Sequence, residues 1–136
     1  MEEALVGIVV VSHSAQIAAG TVELARQMAG DDLRIEAAGG MPDGSLGTDA
    51  SAIMAAISAA NSGAGVLVLV DLGSAVLATQ TALELLGEDV AAQVRLSGGP
   101  LVEGAVVAAV QASVGDDLTA VLAAAEEAAS LPKIPG

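Results

Sequence analysis

The sequence predicts an α/β fold: a mostly parallel sheet of four to five strands in the order 2-1-3-4, with helices on both faces. Short runs of β-branched and apolar residues predict buried strands, because strands covered on both faces are continuously hydrophobic. A longer segment with helical spacing follows each run, and this alternation recurs along the chain. Right-handed crossovers then place the strands parallel and distribute the helices over both faces.

The four predicted strands are short segments, of which the first and third are uninterrupted apolar runs. They are Leu5–Val11, Leu33–Ala37, Val66–Val70 and Val94–Ser97. The clearest is the run that ends at Val70, because it consists entirely of Val and Leu. Strand 1 stops at Ser12-His13-Ser14, and strand 3 stops at Asp71-Leu72-Gly73-Ser74. The four runs are too short and too separate to cross a bilayer.

Helical spacing predicts the segments between the strands. The predicted helices are Gln16–Met28, Asp49–Ala60, Ala75–Leu86, Leu101–Ser113 and Asp117–Ser130. In the first of them Ile17, Leu24 and Met28 can share one face, and Ser12 or Ser14 could cap its start. Residues 1–130 are predicted to form one domain, and residues 131–136, with two prolines, a tail that frays.

The charge balance limits the partners that the chain can bind. Lys and Arg number 4 against 17 Asp and Glu, a net charge of −13, and the chain has no Phe, Tyr or Trp. Nucleic acid and anionic membranes bind to proteins through Lys and Arg, which are scarce here. Single-stranded nucleic acid also stacks on aromatic side chains, which are absent. Nucleic acid and membranes are therefore poor partners. A protein with a basic face is the better candidate, because complementary charge speeds association. The acidic N-terminus is unlike a secretory signal, which predicts a cytoplasmic protein.

The candidate site lies where two predicted strands end side by side. In an open α/β sheet the ligand binds beyond the carboxyl ends of the strands, at the point where the strand order reverses. In the order 2-1-3-4, strands 1 and 3 are neighbours at that point. His13, the only histidine of the chain, and Asp71 therefore reach the same crevice.

These two residue types fit phosphoryl transfer. A neutral imidazole has one ring nitrogen with a free lone pair that can attack phosphorus. A carboxylate such as Asp71 that accepts the other N–H fixes the tautomer and stabilises the positive charge that develops on the ring. Amides at helix starts can bind the phosphoryl oxygens. The predicted phosphate-binding residues are Ser14, Gly39, Gly40, Gly73 and Ser74.

Each of these features also has an ordinary structural interpretation. His13 could be a residue at the edge of the core, Asp71 could only cap the next helix, and the glycines could be turns. The cations Arg26, Arg34 and Arg95 are not obviously at the carboxyl edge. Transition-state cations would then have to come from partner proteins, which suits a carrier better than an ATP-binding enzyme.

Several other chemistries lack their sequence signals. One histidine and no cysteine argue against a transition-metal site, so no metal is predicted. The phosphate-binding loop of ATPases, the glycine fingerprint of dinucleotide-binding folds and the nucleophile elbow of hydrolases are all absent.

Seven segments that run in order along the chain carry a family resemblance: Ile8–Ser14, Glu23–Met28, Gly47–Asp49, Val70–Val76, Thr81–Leu86, Val94–Leu96 and Pro100–Gly104. In these segments the chain resembles the DhaM family, the phosphoryl-carrier subunits of phosphoenolpyruvate-dependent dihydroxyacetone kinase, which are relatives of the mannose-type IIA phosphotransferase domain. The pairing of SHS after strand 1 with DLGSA after strand 3 is the specific part. Sugar-transporting mannose-type proteins look like Asp-x-x-Gly-Gly-Ser-Pro at the second position.

The resemblance implies a relay. The phosphocarrier protein HPr, charged from phosphoenolpyruvate, would phosphorylate His13. His13 would pass the group to ADP held on the DhaL subunit, and the ATP formed there would phosphorylate dihydroxyacetone on DhaK. No cofactor would bind this chain directly, and a homodimer is expected. Some members of the family carry HPr-like and enzyme I-like domains after this one. This sequence stops at Gly136 without such domains, so HPr is expected as a separate protein.

Two alternatives stay open at this point. One is a mannose-type IIA component of a sugar transporter, and the other is a non-catalytic regulatory or binding module on the same fold. The leading hypothesis is a phosphotransferase subunit, with His13 as the phosphorylated nucleophile and Asp71 orienting its imidazole.

Overall fold

The computed structural model describes residues 4–135 and shows four strands and six helices in that range. The strands are β1 (Gly7–Ser12), β2 (Ile35–Gly39), β3 (Val66–Val70) and β4 (Val94–Ser97). The helices are α1 (Ala15–Ala29), α2 (Ala50–Ala60), α3 (Gly73–Leu86), α4 (Glu88–Ala91), α5 (Leu101–Ser113) and α6 (Leu118–Glu127). A 3₁₀ turn, Ala128–Ser130, follows α6.

The four strands form one parallel sheet in the order β2-β1-β3-β4. Strand β1 lies in the interior of the sheet, with Ser12 beside Gly39 of β2 and Val11 beside Val70 of β3. The predicted fold class and strand order are therefore confirmed, with four strands rather than five in the described part of the chain.

Alternate side chains of the central strands pack into two separate hydrophobic cores, one on each face of the sheet. Ile8 and Val10 of β1 pack with α1, α5 and α6 on one face of the sheet. Val9 and Val11 pack with α2 and α3 on the other face. Successive side chains of a strand point to opposite faces, so a strand without a polar position must be covered on both sides.

Small side chains let the layers approach closely. The buried face of α5 is made only of glycine and alanine: Gly104, Ala105, Ala108, Ala109 and Ala112. Close approach replaces the volume that aromatic residues supply in other cores, because interiors are filled to nearly constant density. Gly99 shows how close the contact is, since a Cβ there would lie 2.2 Å from the Ala125 carbonyl oxygen.

Helix α1 buries a face other than the one that carries its largest apolar residues. Ile17, Leu24 and Met28 do share one face, but it faces solvent, with exposed fractions of 50%, 46% and 60%. The buried residues are Ala18, Thr21 and Ala25. Periodicity could not separate the two faces, because the inner one uses small residues for close contact with the sheet and α5.

The boundaries differ at a few other places. Helix α3 begins at Gly73, two residues before the predicted start, and the short helix α4 was not predicted. The described tail, residues 131–135, is exposed and forms no helix or strand, although Lys133 makes an ion pair with Glu103 of α5. The division of the chain into a domain, residues 1–130, and a tail stays a prediction. No helix among residues 4–135 is long and apolar enough to cross a membrane.

Candidate functional site

His13 lies at the carboxyl edge of the sheet, between the end of β1 and the start of α1. Asp71 occupies the equivalent position one strand away, between β3 and α3. Helix α1 covers one face of the sheet and α3 the other, so the two residues meet where the chain changes side. The predicted convergence of His13 and Asp71 at this point is confirmed.

The Asp71 carboxylate accepts four hydrogen bonds. Its Oδ1 is 2.9 Å from Nδ1 of the His13 ring and accepts the Leu72 backbone N–H at 2.8 Å. Its Oδ2 accepts the His13 backbone N–H and the Ser12 hydroxyl, both at 2.9 Å. Both carboxylate oxygens are therefore fixed, and so is the plane that faces the imidazole.

The protonation of Asp71 follows from these bonds. Burial raises the pKa of this carboxyl, but the bonds from His13, Ser12 and Leu72 outweigh burial and hold the pKa below its ordinary value of 3.8. Asp71 is therefore ionised at neutral pH and can only accept hydrogen bonds. The proton between the two side chains must then be on Nδ1, which leaves the lone pair of a neutral ring on Nε2.

The Nε2 atom of His13 faces the start of α3. It lies 2.6 Å from the Ser74 hydroxyl oxygen, which donates to it when the ring is neutral. The His13 side chain keeps 24% of its surface exposed, whereas the Asp71 side chain keeps 15%. The ring is thus supported from behind by the carboxylate and open on the side of Nε2.

Unpaired amides surround this opening. The first N–H groups of a helix have no acceptor within the helix. Gly73 and Ser74 occupy the first turn of α3, and its N-cap residue Leu72 makes no side-chain capping bond. A Cβ on Gly73 would meet nothing within 4 Å, so the space beside this turn is open. The helix dipole adds partial positive charge at the same place.

The other predicted phosphate-binding residues are already engaged within the protein. Ser14 caps α1 by accepting the Ile17 N–H at 3.2 Å, and its own N–H donates to the Ser12 hydroxyl. The Gly40 N–H donates to the Ser12 carbonyl at 3.3 Å. Gly39 packs against α1, where a Cβ would lie 2.6 Å from the Ser14 carbonyl oxygen. Their phosphate-binding role stays a prediction, and the free amides are on Gly73 and Ser74.

Sequence reasoning missed two residues of this site. Ser12 is fully buried and binds Asp71, and its signal was a single polar residue at the carboxyl end of an otherwise apolar strand. The Gly47 N–H donates to the His13 carbonyl at 2.8 Å and anchors the loop between β2 and α2 beside the ring. Gly47 lies in a segment that resembles the DhaM family, but the sequence assigns it no role, because its bond joins segments that are distant along the chain.

Large apolar side chains near the site residues in sequence are exposed, and no Lys or Arg among residues 4–135 pairs with Asp71. Ile17, Leu46 and Leu72, which flank the site in sequence, are exposed by 50%, 78% and 61%. The Arg26 guanidinium donates to carbonyls of Leu33 and Ile35, away from the site. Within residues 4–135 the only ion pair of Asp71 is with His13, and no cluster of three or more His, Asp or Glu side chains could hold a metal ion.

Comparison with known proteins fits this fold and site. Residues 7–122 match the family model EIIA-man, described as "PTS system fructose IIA component". The match covers most of the chain and defines the class of protein as a IIA component of the phosphotransferase system.

Two curated relatives and a solved structure give the finer placement. The phosphoryl donor subunit DhaM of the dihydroxyacetone kinase of Escherichia coli is 46% identical over 87% of this chain. DhaM of a second kinase, from Listeria innocua, is 40% identical over 87% of this chain and 94% of its own length. A crystal structure of a protein of unknown function superposes with a TM-score of 0.81 at 43% identity, covering 90% of this chain and 94% of that one.

The chain therefore belongs to the DhaM group of the EIIA-man family. It spans 26% of the E. coli relative, but almost all of the Listeria relative.

Proposed function

We propose that this chain is a phosphohistidine carrier: His13 accepts a phosphoryl group from HPr and transfers it to ADP bound to a DhaL subunit. ATP formed on DhaL then phosphorylates dihydroxyacetone on DhaK. The observation that carries the proposal is the ring geometry, with Nδ1 on Asp71 and Nε2 free to react beside the start of α3. The names of the similar proteins, phosphoryl donor subunits of dihydroxyacetone kinase, support the choice of acceptor.

In the accepting half-reaction, the Nε2 lone pair of His13 attacks the phosphorus atom carried by the donor histidine. The new Nε2–P bond forms while the donor's N–P bond breaks, and the electron pair of that bond returns to the donor ring. The His13 ring keeps its proton on Nδ1 and becomes positively charged, and the ionised Asp71 stabilises this charge across 2.9 Å. Ser74 then turns its hydroxyl from Nε2 to a phosphoryl oxygen.

In the donating half-reaction, a β-phosphate oxygen of ADP attacks the phosphorus atom and the Nε2–P bond breaks. Its electron pair returns to Nε2, and the ring is again neutral. The amides of Gly73 and Ser74 bind the phosphoryl oxygens through both steps, because they are the unpaired donors of a helix N-terminus.

Both partners must approach the same open side of His13. The exposed Ile17, Leu46 and Leu72 supply an apolar border for docking, and the net charge of −13 favours partners with basic faces. No cation lies beside Asp71 in the described residues, so the partners bring the cations that stabilise the transferring group. This requirement prevents the phosphohistidine from losing its phosphoryl group to unrelated acceptors.

The test is a stepwise reconstitution. The chain is incubated with enzyme I, HPr and labelled phosphoenolpyruvate, and label that is acid-labile and base-stable is measured. Because His13 is the only histidine, any phosphohistidine on the chain is on this residue. We expect wild type to be labelled and His13→Ala to carry no label.

The second stage identifies the acceptor. Adding DhaL with ADP should discharge the label, and adding DhaK with dihydroxyacetone should yield labelled dihydroxyacetone phosphate. Discharge only to the IIB component of a sugar transporter would instead support the mannose-type alternative. A wild-type chain that takes no label would support the regulatory-module alternative.

The oligomeric state is a separate part of the proposal. The resemblance to the DhaM family leads us to propose a homodimer, which light scattering coupled to size-exclusion chromatography tests directly. A mass of 13.1 kDa at all concentrations would contradict it.

A further inference from the structure

Ser12 places a polar side chain at the end of an otherwise apolar strand. It is the last residue of β1, and its side chain is fully buried although every other side chain of that strand beyond Gly7 is aliphatic. Its hydroxyl donates to Oδ2 of Asp71 at 2.9 Å. Its hydroxyl does not hydrogen-bond to the His13 ring, whose partners are Asp71 and Ser74, so its link to the ring runs through Asp71.

The bond from Ser12 decides how the carboxylate is oriented. Oδ2 is held by two donors, the Ser12 hydroxyl and the His13 backbone N–H, and this leaves Oδ1 facing Nδ1 of the ring. The rotation of a carboxylate about its last bond is soft, because this torsion has broad minima. With one donor removed, Oδ2 keeps a single bond and the plane that faces the imidazole is less well fixed.

The oxygen of Ser12 is itself held in place. It accepts the Ser14 N–H at 3.0 Å, immediately before α1 begins. A hydroxyl has one proton, and the only recorded acceptor for it is Asp71. Ser12 thus ties the Asp71 carboxylate, which follows β3, to the start of α1.

Ser97 provides an internal comparison. It is also the last residue of its strand, β4, is also buried, and also accepts the N–H of the residue two positions later, at 3.0 Å. It differs from Ser12 in lacking a bond to Asp71. The strand-end turn therefore does not by itself account for the bond to the carboxylate.

We propose that Ser12 is a positioning residue for phosphoryl transfer, which holds Asp71 in the orientation that keeps the proton on Nδ1 and the lone pair on Nε2 of His13. The inference rests on the proposed carrier function and adds a residue to that site. Groups that orient the histidine ligands of metal ions through a second bond contribute about 10- to 100-fold, and we expect an effect of this order here.

The experiment compares Ser12→Ala, Ser12→Thr and Ser97→Ala in the full chain. Long-range proton–nitrogen NMR reports the tautomer of the single imidazole, and steady-state kinetics with HPr separate kcat from KM. We expect Ser12→Ala to lower kcat about 10-fold with KM for HPr nearly unchanged, and to reduce the population of the Nδ1–H tautomer. Ser12→Thr should restore both readouts, and Ser97→Ala should change neither.

Three results would overturn the inference. The first is a Ser12→Ala chain with the wild-type tautomer and kcat. The second is an equal loss in Ser97→Ala. The third is no recovery in a Ser12→Thr chain that unfolds at the wild-type denaturant concentration. Failure of the carrier function would look different, since wild type itself would take no label while the NMR comparison would still decide the role of Ser12.

Discussion

Replacing Asp71 by asparagine changes one oxygen for an NH₂ group, and the structure allows two orientations of the new amide. If its oxygen replaces Oδ1, the NH₂ group faces the His13 backbone N–H. If its oxygen replaces Oδ2, the NH₂ group faces the Leu72 N–H and Nδ1 of the ring. In the second case Nδ1 must accept, the proton moves to Nε2, and the nucleophilic lone pair is lost.

The size of the effect follows from the charge. In either orientation the positive ring of phosphorylated His13 loses its anionic partner. A hydrogen bond between charged groups contributes about 1.5–3 kcal/mol, and each 1.4 kcal/mol is a factor of ten in rate. We therefore expect Asp71→Asn to transfer phosphoryl groups about 10- to 100-fold more slowly while keeping measurable activity.

The assay is rapid-quench labelling of His13 from labelled HPr, followed by discharge to DhaL with ADP. Asp117→Asn is the matched control, because Asp117 caps α6 by accepting the Ala120 N–H, and asparagine caps helices equally well. The control should transfer at the wild-type rate.

A rate for Asp71→Asn within twofold of wild type would refute this reasoning. Asp71 would then be a residue that ends β3 and binds backbone amides, without a role in transfer. Equal slowing of the Asp117→Asn control would also refute it, because the effect would then follow from stability rather than from the charge beside the ring.

Four further outcomes are expected. His13→Ala should abolish labelling but lower the free energy of unfolding by less than about 2 kcal/mol in urea titrations, because the ring is partly exposed; a loss above about 4 kcal/mol would contradict this. Since the pKa of Asp71 is lowered in the folded chain, its contribution to stability is present above pH 3.8 and is lost as the pH falls through the lower folded value. Asp71→Asn should therefore show a smaller fall in urea midpoint below pH 4 than wild type, and an equal fall would argue against the shift. Gly39→Ala places a Cβ 2.6 Å from the Ser14 carbonyl and should destabilise the chain by about 1–3 kcal/mol, whereas Gly20→Ala, in open space on α1, should leave it as stable or more so. The KM for HPr should rise with salt, given the net charge of −13, and a salt-independent KM would indicate mainly apolar docking.

Much of the fold could be read from apolar runs. Val66–Val70 and Val94–Ser97 were predicted with their observed bounds, because Asp71 follows the first and Gly98-Gly99-Pro100 follows the second. The start of α3 was placed late because glycine and serine are poor helix formers, whereas Gly73 and Ser74 here form its first turn. The buried face of α1 could not be assigned, since alanines at Ala18 and Ala25 give no hydrophobic signal stronger than that of Ile17 and Leu24.

The candidate site was predictable to the extent that topology determines it. His13 and Asp71 end neighbouring parallel strands, so the strand order alone brings them together. Ser12 was missed because its role depends on the acceptor toward which its hydroxyl points, and a sequence does not show that acceptor. The phosphate-binding role of Gly39 and Gly40 stays a prediction; the structure adds that Gly39 contacts α1 and that the Gly40 N–H donates to the Ser12 carbonyl.

The sequence by itself determined the residues that can react, the order in which strands and helices alternate, and the edge of the sheet where reaction is possible. These properties follow from side-chain chemistry and from periodicity, which are local. Only the tertiary structure decided that Nδ1 faces Asp71, that Nε2 faces the start of α3, and that Ser12 supports the carboxylate. These contacts depend on the exact distances between atoms that follow different strands. The packing of the two cores against the sheet fixes those distances.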